Sequence, residues 1–270
     1  MAELDNQPVI IASSLTGLLI SYSLSKARIP HILIGGAEPD DKPKLGESMN
    51  ERASLECWRF LDPEFRQYFH TKSHVSFLNG KIVSMQYLAN PNRDISKISP
   101  RKAKAPSPAI FKGLLHLDRI GFDQALYRKV KASEYCTFIH NPRANVIYDQ
   151  GSDKITAICL EDGPRLETPA YVFDATGPFG LVARAAGVGK KAISRRERVV
   201  WTHHWSDSGV RPDRAWWFYG TNILRLIPDI DGIDGVAWLI PLGQTMSLGL
   251  SVDAATYPAD KISKEGLIQK

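Results

Sequence analysis

Short, uninterrupted apolar runs alternate along the chain with amphipathic segments, and the first such group sets the pattern. PVIIA, Pro8 to Ala12, has the length of a fully buried strand, and Leu15, Leu18, Leu19, Tyr22 and Leu24 then recur at helical spacing. Ser13, Ser14 and Thr16 bring N-cap chemistry to the turn between them, since a side-chain oxygen there can accept from an orphan N–H of the first helical turn. Pro30 ends the helix before a second apolar run, HILI. The pattern predicts strand, helix, strand, the unit from which parallel sheets are built.

A loop rich in Pro, Asp and Lys (GGAEPDDKPKLGES) comes next, and Met49 to Leu61 reads as a helix with Leu55, Trp58 and Leu61 on one face. VSFLNG and KIVSMQYL alternate as strands about an Asn79-Gly80 hairpin signal. Asn90 to Pro108, thick in Pro, Ser, Lys and Arg, reads as a long exposed loop. Ile120, Phe122, Leu126 and Val130 mark an amphipathic helix within 118–132, followed by the strand-like runs YCTFI, ANVIYD and KITAICLED, with Gln150-Gly151 and Asp162-Gly163 as turns. Tyr171-Val172-Phe173 reads as a buried strand running into DATGPFG. From Arg198 the chain is β-rich and aromatic (VVWTHHW, AWWFYG, GVAWLIPL, TMSLGLSVD), a second region whose sheet could cover a ligand.

Composition changes this picture little. With 270 residues, 43% hydrophobic and 23% charged, the chain can bury a sizeable core, in one large domain or two smaller ones. A net charge of +5 is mildly basic, but no nucleic-acid motif accompanies the clusters at Lys97–Lys104 and Lys190–Arg198, so solvated loops or an anionic ligand explain them better. Cys57, Cys136 and Cys159 are odd in number and widely spaced, which predicts a reduced protein without structural zinc, with Cys136 and Cys159 in the core. No metal cluster is expected. The N-terminus lacks the features of a signal peptide and no window approaches a membrane span, so a cytoplasmic protein is expected.

Four stretches in this order, Val9–Gly36, KLGES (Lys44–Ser48), LDRIGFDQAL (Leu117–Leu126) and YVFDATGPFG (Tyr171–Gly180), resemble the FAD-dependent monooxygenase superfamily, in the branch of flavin-dependent halogenases and geranylgeranyl reductase-like enzymes. The resemblance implies an α/β fold: a Rossmann-like FAD-binding domain with a βαβ start to its parallel sheet (residues 1–74 and 109–197), plus a β-rich substrate-covering region (75–108 and 198–270). In the fingerprint G-x-G-x-x-G the glycines serve the tight turn, the approach to pyrophosphate and helix–strand packing. Here those positions are Ala12, Ser14 and Gly17, so only the packing glycine is kept. If the first position needs positive φ, alanine costs about 1–2 kcal/mol there. Ser14 occupies diphosphate space, though its hydroxyl could instead donate to the ligand. The acidic residue expected to bind the adenosine ribose falls at Gly35, with Glu38 the nearest substitute.

The resemblance further implies flavin contacts from Glu47 and Ser48, for which helix capping is the plain alternative. It implies a cofactor-holding Arg119 with Phe122 and Asp123 in R-x-x-F-D, Phe122 packing the helix onto the sheet. Asp174 would accept from a flavin ribityl hydroxyl, beside a turn opened by Gly177. GVAWLIPLG matches half of the halogenase motif W-x-W-x-I-P, with Val236 at the first Trp and Trp238 read as core. The halogenase lysine stays unassigned between Lys72 and Lys81, and no catalytic residue is chosen. Of His203 and His204, adjacent in a strand, at most one can face a pocket.

Nothing after DATG reads as the family's second G-D motif, and the chain ends at KISKEGLIQK where that half would begin, so a C-terminally truncated or split member is expected. The reading that follows is an FAD-dependent, monooxygenase-type oxidoreductase acting on an apolar or aromatic small molecule, with NAD(P)H or a flavin reductase as electron source. Its alternatives are a flavin-dependent halogenase and, from another class, a non-catalytic remnant of the fold.

Overall fold

The computed structural model describes residues 6–72, 74–79, 82–86, 114–141, 143–161, 163–189, 197–205, 220–227, 231–243 and 245–268. The strands are β1 (Pro8–Ile11), β2 (His31–Gly35), β3 (Phe69–Lys72), β4 (His74–Asn79), β5 (Ile82–Gln86), β6 (Leu114–Leu117), β7 (Cys136–His140), β8 (Ala144–Asp149), β9 (Lys154–Leu160), β10 (Arg165–Glu167), β11 (Tyr171–Asp174), β12 (Glu197–Trp205), β13 (Gly220–Leu226), β14 (Gly235–Leu242) and β15 (Thr245–Asp253). The helices are α1 (Leu15–Lys26), α2 (Glu51–Phe60), α3 (Arg119–Lys131), α4 (Leu181–Ala185) and α5 (Lys264–Ile268). They divide between two compact units: residues 6–41 with 123–189, and 42–122 with 197–268.

In the first unit an all-parallel sheet runs in the order β11-β1-β2-β7, with Ile11 level with both Asp174 and Ile34. β2 is buried at every position, as an unbroken apolar run demands when both faces of a parallel sheet are covered. One face, carrying Val9, Ile11, Ile32 and Ile34, packs on Val146, Ile158, Leu160 and Leu166 of the antiparallel sheet β10-β9-β8. By the two-residue period Ile10 and Leu33 point the other way, and α1 packs on these strands with Leu18 and Tyr22 buried. Ser21 of α1 sits 2.6 Å from His31 Nε2, while the other ring nitrogen lies 2.8 Å from the Ile29 carbonyl. Cys136 and Cys159 are half-buried beside this core rather than inside it, and all three cysteines are free.

The second unit holds a six-stranded sheet in the order β12-β15-β14-β13-β4-β5, antiparallel except where β13 runs parallel to β4. Asn79 and Ile82 pair in register across the expected hairpin. Trp238 stands opposite Gly249, where an added Cβ would come within 1.9 Å of the indole, so the ring lies over the bare backbone of β15. A separate pair, β3-β6, carries the start of α3. Phe122 packs edge-on against Phe65 at 5.5 Å and Phe69 at 5.7 Å, ring centroid to centroid, rather than on the parallel sheet. The buried side of α2 is centred on Ser54, whose hydroxyl accepts from the Leu115 N–H at 3.0 Å. Because 42–72 and 114–122 pack with these strands, they fall in the second unit, whereas the sequence expectation grouped them with the parallel sheet.

The Asn90–Pro108 stretch, most of AWWFYG and Lys81 lie outside the described residues. Among those described, no helix is long and apolar enough to cross a membrane.

Candidate functional site

At the C-terminal ends of β1 and β2 the first unit opens into a crevice of about 810 Å³. This is where open α/β sheets take their ligands. Residues from the β1–α1 turn, the end of β2, β8 and the segment after β11 line it.

Ala12 has φ +85°, the left-handed backbone that the first fingerprint position requires, reached here by an alanine at about 1–2 kcal/mol. Its N–H donates to the Ile34 carbonyl at 2.8 Å, tying the turn to β2. A Cβ on Gly17 would lie 2.0 Å from the Ala12 carbonyl oxygen, so glycine is demanded by close approach of α1 to the turn. Ser14 is the N-cap of α1: its Oγ accepts from the Gly17 N–H at 3.4 Å and donates to the Ala175 carbonyl at 2.8 Å. A hydroxyl has one proton, and this one is committed inside the protein, so Ser14 has none to offer a ligand in this arrangement.

At the ribose end, a Cβ on Gly35 would meet Ser13 Cβ at 2.6 Å. A carboxylate-bearing residue is therefore shut out of position 35. Glu38 does not replace it: its carboxylate pairs with Arg128 at 2.9 Å.

Asp174, at the end of β11, organises the loop after it. Oδ1 accepts from the Thr176 N–H at 3.0 Å and the Thr176 hydroxyl at 2.5 Å, and Oδ2 from the Val182 N–H at 2.8 Å. Burial works against the charge, but these hydrogen bonds outweigh it and hold the carboxyl below its ordinary range. Gly177 has φ +60° with open space where a Cβ would be, so its need for glycine is conformational. Arg184 lies 4.5 Å above the exposed Phe179 ring, both on the crevice wall.

Glu47, Ser48 and Arg119 belong to the second unit. Glu47 is buried, 1% exposed, with Oε1 3.1 Å from His203 Nε2. Ser48 is exposed, its hydroxyl 2.9 Å from Thr221 Oγ1 and accepting from Lys72 Nζ at 2.7 Å. Arg119 donates to the Leu45 carbonyl at 2.5 Å beside Gly46, which has φ +99°. The arginine thus braces the turn that presents Glu47 and Ser48.

The eight positions singled out from sequence therefore fall into two groups, Ala12, Ser14, Gly17, Asp174 and Gly177 in one unit, and Glu47, Ser48 and Arg119 in the other. His203 was half legible, because strand alternation allows only one of His203 and His204 inward, and His204 is the exposed one. Lys72, His116 and Thr221 were not read as a group. They lie on three strands, and no spacing links them.

No family profile matches the chain, and no curated protein matches it in sequence. Its fold is similar to that of Xcc4156, a flavin-dependent halogenase from Xanthomonas campestris, at 17% identity and TM-score 0.71, covering 92% of this chain and 56% of that one. BrvH, a flavin-dependent halogenase from Brevundimonas sp. BAL3, matches at 18% identity and TM-score 0.70, over 95% of this chain and 58% of that one. PqsL of Pseudomonas aeruginosa, a probable FAD-dependent monooxygenase, matches at 13% identity and TM-score 0.62, over 94% and 62%. The chain thus spans less than two thirds of the length of these neighbours, and shares with them the fold of Rossmann-type flavoproteins.

Proposed function

We propose that this chain binds FAD and acts in the cytoplasm as a monooxygenase-type oxidoreductase on an apolar or aromatic small molecule, with electrons from NAD(P)H or a flavin reductase. The observation that carries the reading is the turn at Ala12: a non-glycine residue at φ +85° stands beside a glycine pressed onto its carbonyl, at the mouth of the crevice.

The crevice fits the diphosphate part of the cofactor. The first-turn N–H groups of α1 and the positive end of its dipole favour an anion, and the bare Gly177 leaves room beside it. It does not fit an adenosine ribose gripped by a carboxylate, since Gly35 admits no side chain and Glu38 is paired with Arg128. In the first unit Ala12 and Gly17 would present the turn to the group, Ser14 would only cap the helix behind it, and Asp174 would shape the loop that carries Gly177. In the second unit, taken by itself, Glu47 and Arg119 hold the loop that exposes Ser48. When bound and reduced, FAD supplies the oxygen chemistry, while the protein binds, orients and excludes water.

Titration of the purified protein with FAD, followed by flavin fluorescence and absorbance, tests this. Saturable binding that weakens in Asp174→Ala supports it. No binding at high FAD sinks it and favours a non-catalytic remnant.

A second reading, halogenation, is favoured by Lys72, a buried amine 3% exposed that donates, among the described residues, to the neutral oxygens Ser48 Oγ and the Met49 carbonyl. The resemblance implies such a lysine in halogenases. Halide-dependent product lost in Lys72→Ala would favour this over oxygenation.

A further inference from the structure

In the second unit Lys72 and Ser48 belong to a longer line of polar groups, whose far end, Thr221 and His116, neither reading uses. Lys72 Nζ stands 2.7 Å from Ser48 Oγ, Ser48 Oγ 2.9 Å from Thr221 Oγ1, and Thr221 Oγ1 2.9 Å from His116 Nε2. Lys72, Thr221 and His116 are buried, at 3%, 5% and 0% exposure, and only Ser48 reaches the surface.

We infer that this line is a hydrogen-bond relay that couples the protonation of Lys72 to that of His116, with Thr221 a positioning residue for the amine. Ammonium is a donor only, so a charged Lys72 gives a proton to Ser48 Oγ; Ser48 then donates to Thr221, and Thr221 to a bare His116 Nε2. If His116 carries a proton on Nε2, every bond reverses: His116 donates to Thr221, Thr221 to Ser48, and Ser48 to the lone pair of a neutral amine. One proton leaves Lys72 and one arrives on His116, with the hydroxyls unchanged in composition. The relay suits one charge and disfavours two.

Other ionisable groups flank it without joining it. Glu47, next to Ser48, is committed to His203; His70, on the same strand as Lys72, is influenced by Asp118. Among the described residues no carboxylate forms an ion pair with Lys72. A buried lysine without an acidic partner is costly to keep, and burial lowers its pKa to about 8. The outcome is an oriented amine, still mostly ammonium at neutral pH but losing its proton close above it, bonded to an exposed hydroxyl. It requires no flavin and stands whether or not FAD binds.

The test is the pH titration of the Lys72 ¹⁵Nζ resonance in the full chain, labelled with ¹⁵N-lysine and assigned by its loss in Lys72→Arg. In Thr221→Val the ammonium loses the far end of its relay, and the midpoint is expected to fall by roughly half a unit or more, with Thr221→Ser restoring the wild-type curve. His116→Gln is expected to remove any inflection shared by the two groups. Superimposable titrations in wild type, Thr221→Val and His116→Gln would overturn the relay. Thermal unfolding of each variant separates this from loss of fold, since an altered midpoint counts only in a folded variant and His116→Gln preserves polarity if Thr221→Val fails.

Discussion

Glu47 Oε1 and His203 Nε2 lie 3.1 Å apart with side chains only 2% and 3% exposed, joining the KLGES turn to β12. Both come from stretches that the sequence marks for chemistry, yet here each is the other's buried partner. Removing one side leaves the other without compensation in a dry site. His203→Ala is expected to lower unfolding stability by about 3–5 kcal/mol, with less lost on further replacement of Glu47 by Gln. Denaturant unfolding of the two single variants and the double variant measures the coupling, and additive losses would contradict it.

The turn at Ala12 invites repair. Ala12→Gly removes the cost of a Cβ at φ +85°, and Ser14→Gly clears the hydroxyl from the place of the diphosphate at only a few tenths of a kcal/mol in lost capping. The double variant is expected to bind FAD more tightly than wild type in the same fluorescence titration. Unchanged or weaker binding would show that neither position meets the cofactor.

Two glycines should respond oppositely in kind. Gly17→Ala places a Cβ 2.0 Å from the Ala12 carbonyl oxygen, so α1 must shift, and both stability and FAD binding are expected to drop sharply. Gly177→Ala meets nothing within 4 Å and carries only the strain of φ +60°, about 1–2 kcal/mol of stability. Thermal melts with matched FAD titrations distinguish them.

Two buried bases predict pH windows. Burial, partly offset by the bond to the Ile29 carbonyl, lowers the pKa of His31 from 6.5. The unfolded chain then takes up a proton first, so the contribution of neutral His31 is complete above pH 6.5 and declines as pH falls below it. For Lys72 the folded value of about 8 lies under the 10.5 of the unfolded chain, so stability rises as pH climbs from about 8 to 10.5. The full rise is on the order of 3 kcal/mol, and Lys72→Met should flatten it. Denaturation midpoints across pH check both windows, and an unchanged slope in Lys72→Met would refute the second.

Gly249→Val would drive a side chain into the Trp238 indole across β14–β15, and loss of the folded second unit is expected. If Trp238→Ala rescues Gly249→Val, as near-ultraviolet circular dichroism would report, the indole is the obstacle.

The βαβ start was legible because its signals are local: two unbroken apolar runs, a helical repeat between them and a serine at the cap. The Asn79-Gly80 hairpin followed from the same kind of signal. Ser14 shows where such reading ends. Its capping role is written three residues away at Gly17, but the acceptor of its proton, Ala175, is 161 positions distant. The relay is further out of reach, since Ser48 and Thr221 are 173 positions apart and nothing in either segment names the other.

By itself, the order of residues determined the strand, helix, strand start of the parallel sheet and the cap at Ser14, because strand length, helical period and capping act over a few residues, while the roles of Ala12 and Gly17 came with the resemblance. Only the tertiary structure decided that Glu47 faces His203, that Glu38 is spent on Arg128, that Gly35 admits no acid and that Lys72 rests on Ser48. A buried charge or hydroxyl takes whichever partner folding brings within about 3 Å, and those partners come from strands and turns far apart in the chain.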